Sequence, residues 1–115
     1  MNQVSLRNEV IGLDTADKIT HLLSRDLPYN IVELRIEMCN VSCDALTNIL
    51  SALLKNYQLN KLVLVGLSFN EDHLKLLEKF VSGARYLVNL DLSWNRFKLQ
   101  SFLPLFTTIC ANKKL

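Results

Sequence analysis

Aliphatic residues recur along this chain at a fixed interval. Ile31, Leu34, Ile36, Cys39 and Val41 set an LxxLxLxxCxL rhythm. It returns about 28 residues later as Leu59, Leu62, Leu64, Leu67 and Phe69, and after the same interval again as Leu87, Leu90, Leu92, Asn95 and Phe97. The second half of each unit keeps step: Leu46, Leu74 and Phe102 form one column, Ile49, Leu77 and Leu105 a second, and Leu53, Val81 and Ile109 a third. Eight columns held through three units define an internal repeat, which outranks any local reading of the chain.

Within a unit the period changes. Leu34-x-Ile36, Leu62-x-Leu64 and Leu90-x-Leu92 alternate, as a short strand with one buried face does. Leu46, Ile49, Leu50, Leu53 and Leu54 are spaced by threes and fours, which is one stripe of a helix. Ser42-Cys43-Asp44 offers capping side chains ahead of that helix, and Ser68-Phe69-Asn70 followed by Glu71 and Asp72 does so ahead of the next. Each unit therefore reads strand, loop, helix, loop. One unit alone cannot bury both its strand and its helix stripe, whereas units stacked in parallel do so for each other.

Upstream, Met1, Val4, Leu6, Glu9 and Ile11 fit the same rhythm with a longer unit of about 30 residues, because the shorter shift would bury Asn8. Ile19, Leu22, Leu23 and Leu27 supply the helix stripe, and Pro28-Tyr29 closes the helix. The spacing thus predicts a single domain over 1–115, with repeats at approximately 1–30, 31–58, 59–86 and 87–114. Leu115 falls one full interval after Leu87, with no polar capping unit in view. The expectation is a piece of a longer solenoid, or an open C-terminal end covered by a partner or by self-association.

The segment Leu87-Val88-Asn89-Leu90-Asp91-Leu92-Ser93-Trp94-Asn95-Arg96-Phe97 resembles the LxxLDLSxNxL signature of leucine-rich repeat proteins, ribonuclease-inhibitor-like subclass. The resemblance covers almost the whole chain. It implies an α/β solenoid of about four repeats, with a curved parallel sheet on the concave face and helices on the convex face. Cys39 and Asn95 match the family's small polar turn column. Leu67 does not, so its turn must satisfy its backbone in another way. Ala45, His73 and Ser101 stand where the family usually has Gly.

Alternation along the strands turns the positions between the Leu residues away from the core. The candidate protein-binding residues are accordingly Arg35, Glu37 and Met38; Lys61, Val63 and Val65; and Asp91, Ser93 and Trp94. Glu33, Gly66 and Asn89 share these columns, with Ser5 and Arg7 joining from the first unit. Trp94 is the most informative, since Trp and Arg are enriched in interface hot spots. The plainer alternative is that the Val pair reflects strand propensity and that Trp94 packs on an adjacent loop.

Composition narrows the function classes. Half of the 115 residues are apolar and only three are Gly, which fits a packed core. A formal charge of +2 supplies no broad electrostatic footprint for nucleic acid or an anionic membrane. No uninterrupted apolar run approaches a membrane span. Three cysteines without an obvious pairing, and no signal peptide, favour a cytoplasmic protein, with a secreted bacterial effector acting in a host cell as the alternative. Cys39 and Cys43 find no second pair or nearby His to complete a zinc set, Cys110 reads as a helix-face residue, and His21 and His73 as surface or half-buried side chains. Glu33 and Glu37 beside Arg35 read as paired surface charges. No phosphate loop or catalytic motif is present. The expectation is a protein-protein interaction scaffold, not an enzyme, with no cofactor and no metal. Its alternatives are the recognition arm of a larger protein (a nucleotide-sensing receptor, GTPase regulator, ubiquitin-ligase adaptor or bacterial effector) and a structural subunit docking through its open ends.

Overall fold

The computed structural model describes residues 3–23, 31–55, 59–96 and 98–112. Met1, Leu27, Pro28-Tyr29, Phe97 and Leu115, to which the repeat assigns roles, lie outside the described residues. The chain runs β1 (Gln3–Arg7), β2 (Val10–Ile11), α1 (Leu13–Leu22), β3 (Glu33–Glu37), β4 (Asn40–Val41), α2 (Cys43–Leu53), β5 (Lys61–Val65), α3 (Glu71–Gly83), β6 (Asn89–Asp91) and α4 (Leu99–Ala111). It is a mixed α/β protein. Four strands form one parallel sheet in the order β1-β3-β5-β6.

The strand register reproduces the sequence columns. Leu34 pairs with Leu62 and Leu62 with Leu90, each partner one repeat interval further along the chain. Val4 pairs with Leu34 and Leu6 with Ile36, so the first two strands are offset by the longer interval that the first unit requires. A second short ladder pairs β2 with β4, and a bridge between Ser68 and Arg96 continues the same position through the later units. The helices follow the strands in step: α1 packs on α2, α2 on α3, and α3 on α4.

Burial follows from the two periods. Leu34, Ile36, Leu62 and Leu64 point into the layer between sheet and helices and are fully buried. They meet Ile49, Leu50 and Leu53 from α2 and Leu74, Leu77, Phe80 and Val81 from α3 in one continuous core. Each such side chain contributes about 1.5–3 kcal/mol when it leaves water. Leu90 and Leu92, in the same columns but at the sheet's edge, stay half-buried.

Helix entry is set locally. Ser42 accepts a hydrogen bond from the Ala45 N–H at 3.2 Å and so caps α2, as its position before the apolar stripe predicts. Asn70 does the same for α3, accepting from the His73 N–H at 2.8 Å. Pro104 sits inside α4 and cannot donate to the carbonyl one turn earlier. Among the described residues no helix is long and apolar enough to cross a membrane.

Candidate functional site

Parallel pairing without slippage lines up the side chains on the sheet face away from the helices. Gln3, Glu33, Lys61 and Asn89 form one row across the strands, and Ser5, Arg35, Val63 and Asp91 form the next. Arg7, Glu37 and Val65 begin a third, which Ser93 extends just past the end of β6. Four strands at about 4.8 Å spacing make a face roughly 14 Å wide.

The charges on this face are balanced in sign, and each of its acids Glu33, Glu37 and Asp91 is bonded to a neighbouring residue. Arg35 lies between the two acids of its own strand, its Nη1 donating to Glu37 Oε1 at 2.8 Å and its Nε to Glu33 Oε2 at 3.4 Å. Arg7 Nε stands 4.0 Å from Glu37 Oε2. The hydrogen bond to Glu37 raises the Arg35 guanidinium above its ordinary range. Asp91 accepts from the Ser93 hydroxyl at 2.5 Å and from the Ser93 N–H at 2.9 Å, and these bonds hold its carboxyl below the usual range. The pairs are part-exposed, so they order the surface more than they stabilise the fold.

Lys61 and Val65 are half-buried on this face, while Asp91 and Ser93 are exposed. Val63 departs from expectation: it belongs to an outward row but is only 4% exposed. Its row neighbours are Arg35 and Asp91, close enough for Arg35 to act on the Asp91 charge. Val63 therefore offers little contact area to a partner.

Met38 and Trp94 also depart from a simple strand position. Neither lies in a strand. They occupy the turn that follows, in a column comprising Asn8, Met38, Gly66 and Trp94, and all four have left-handed backbone (φ 57°, 53°, 72° and 61°). The turns are stitched sideways: the Asn8 N–H donates to Glu37 O, Met38 N–H to Val65 O, and Gly66 N–H to Ser93 O. Gly is at ease there and Asn tolerates it, but Met and Trp incur about 1–2 kcal/mol of steric strain each. A Cβ at Gly66 would also collide with the Met38 sulfur, which rests against that glycine. Gly66→Ala is expected to cost about 1–2 kcal/mol, chiefly through the positive φ. An unshifted midpoint in urea denaturation would contradict the left-handed assignment.

Trp94 is 83% exposed, the most open of the large apolar side chains among the described residues, and Met38 is 49% exposed. Asn95 fixes the turn from within. Its Oδ1 accepts from the Leu67 N–H at 2.7 Å, and its Nδ2 donates to Leu64 O at 2.6 Å and Leu92 O at 3.0 Å. The turn at Leu67, which lacks a polar residue of its own, is thus satisfied by the next unit. Cys39 fills the same column one unit earlier, buried, with its Sγ donating to Glu37 O at 3.4 Å.

His73 is a residue that sequence reasoning misjudged. It is neither on the surface nor half-buried but 2% exposed. Its Nδ1 accepts from the Asn70 N–H at 3.1 Å, completing a reciprocal capping box. The ring proton is therefore on Nε2, which lies 3.1 Å from both Cys43 O and Thr47 Oγ1 and ties α3 to the first turn of α2. The clue in the sequence is Asn70-x-x-His73, a capping box with His in place of Glu or Gln. Cys43 and Cys110 are exposed, with free thiols. Among the described residues, no three His, Cys, Asp or Glu side chains converge as metal ligands would.

No protein-family model, curated protein or solved structure matches the chain.

Proposed function

We propose that this chain is a leucine-rich repeat solenoid, similar to the ribonuclease-inhibitor-like type, that binds a partner protein through its outward sheet face and the adjoining turns. Catalysis is no part of the proposal, and neither is a metal or cofactor. The carrying observation is Trp94. A large aromatic side chain stands 83% exposed on a left-handed residue where Asn or Gly would relax the backbone. Both features oppose folding stability, and both make sense if the ring is held out to meet another surface. Exposed Met38 shares the turn column, and the bonded Arg35–Glu37 pair supplies a preordered polar border. The three free thiols fit a cytoplasmic placement.

The face is small. At roughly 14 Å across it suits one protruding segment of a partner better than a broad flat interface of about 800 Å² per side. Trp94 then carries a large share of the affinity. Trp94→Asn is expected to leave folding stability unchanged or slightly raised while weakening partner binding by about 2 kcal/mol, near thirtyfold. The partner is to be recovered by affinity purification and mass spectrometry, comparing wild type with a Trp94→Ala/Arg35→Ala double variant. Equal recovery of every protein by the two baits removes this face from consideration.

A further inference from the structure

The two ends of the strand order present matching halves of the same join. Beyond β6, a groove of about 580 Å³ opens between the strand and α4, lined by Asn89, Leu90, Leu92, Phe102, Phe106 and Ile109. One unit earlier, Leu62, Leu64, Leu74 and Val81 hold the columns of Leu90, Leu92, Phe102 and Ile109. There the following unit covers them, and each is 3% exposed or less. At this end Leu90, Leu92, Phe102 and Ile109 are half-buried, while Phe106, Leu103 and Val88 are about half exposed. No strand lies beyond β6 among the described residues. At the opposite edge β1 keeps Val4 and Leu6 half-buried, with Val10 78% and Leu13 49% exposed.

We propose that copies of this chain associate head to tail, with β1 of one copy adding as a parallel strand beside β6 of the next. Three observations select a second copy as the occupant. First, this join already occurs three times inside the molecule, between β1 and β3, β3 and β5, and β5 and β6, always parallel and in register. Second, continuing that register sets Val4 beside Leu90 and Leu6 beside Leu92, so the incoming strand supplies the alternate aliphatic pair that the groove lacks. Third, the outward charges agree. Exposed Asp91 would lie beside Ser5 and diagonal to Arg7, whose side chain is 72% exposed, within reach of a long side chain. The association does not depend on the partner-binding reading of the sheet face. Because the two joined surfaces differ, the contact does not close on itself, and growth continues beyond the dimer.

Sedimentation velocity of the 115-residue chain over a concentration series tests this. The average mass is expected to rise through dimer and trimer without levelling. Asp91→Arg blocks the β6 end and Arg7→Glu blocks the β1 end. Each variant alone is expected to associate at least tenfold more weakly. An equimolar mixture of the two offers one join with both native charges and one with both charges reversed, so growth is expected to return with the two variants in alternation. Combining both substitutions in one chain restores growth. Both positions are exposed, and circular dichroism confirms that each variant is folded. A wild-type chain that stays monomeric throughout, a plateau at the dimer, or charge variants that associate as wild type does would each overturn the proposal.

Discussion

Leu62→Ala is expected to lower the stability of the fold by about 3–5 kcal/mol, whereas Leu90→Ala lowers it by about 1–2 kcal/mol. The two residues share a column and a chemistry, and they differ only in what stands beside them. Leu62 is fully buried in β5, with Leu34 in register on one side and Leu90 on the other, and the helices behind it. Its truncation leaves a hole walled on every side by other units, and a lining of that kind collapses only in part. Leu90 belongs to the edge strand and is already half in contact with water, so fewer neighbours lose contacts. Since domains are stable by only about 5–15 kcal/mol, the Leu62 loss removes a large share of the total. Urea denaturation read as midpoints at constant slope gives both numbers. Equal losses at the two sites would mean that the column does not run from the interior to an edge.

The contrast also shows which parts of this protein are legible from its residue order. Periodicity specifies which face a side chain takes, because a slip of one residue would turn every Leu of a strand outward. Hence the register of Leu34, Leu62 and Leu90 could be read directly, and so could the longer first unit, since the shorter shift places Asn8 in the core. Exposure is another matter, because it depends on neighbours from other units. Val63 alternates outward as expected, yet between its flanking strands β3 and β6 it is only 4% exposed. His73 looks like a surface residue in its own helix, and only α2 beside it supplies the acceptors that make burial tolerable. The left-handed column was obscured for a different reason. Asn8 and Gly66 are natural there, but Met38 and Trp94 are not, so residue type gave a divided signal. The candidate face was thus visible as a set of columns, while the prominence of Trp94 over Val63 emerged only from the packing.

Asn95→Ala is expected to cost about 2–4 kcal/mol, although the side chain is only half-buried and makes no part of the aliphatic core. The amide holds two units at once. Its oxygen takes the Leu67 N–H, and its nitrogen serves the carbonyls of Leu64 and Leu92. Leu67 is itself 3% exposed, so water has poor access to the N–H that the substitution would leave unpaired. An orphaned backbone donor in such a place loses its desolvation free energy without return. Leu67 has no side-chain polar atom to help, and Cys39, one unit before it, bonds only its own turn. Asn95→Asp separates hydrogen bonding from shape: it keeps the volume and the acceptor but sets a carboxylate oxygen against two carbonyls. At neutral pH it is expected to be at least as damaging as Ala. Trp94, the chain's one tryptophan, precedes the mutated residue, so its fluorescence reports directly on whether the turn loosens. A loss under about 0.5 kcal/mol with unchanged emission, within the range of an ordinary surface substitution, would show that the turn does not need the amide. Trp94 could then not be regarded as rigidly presented.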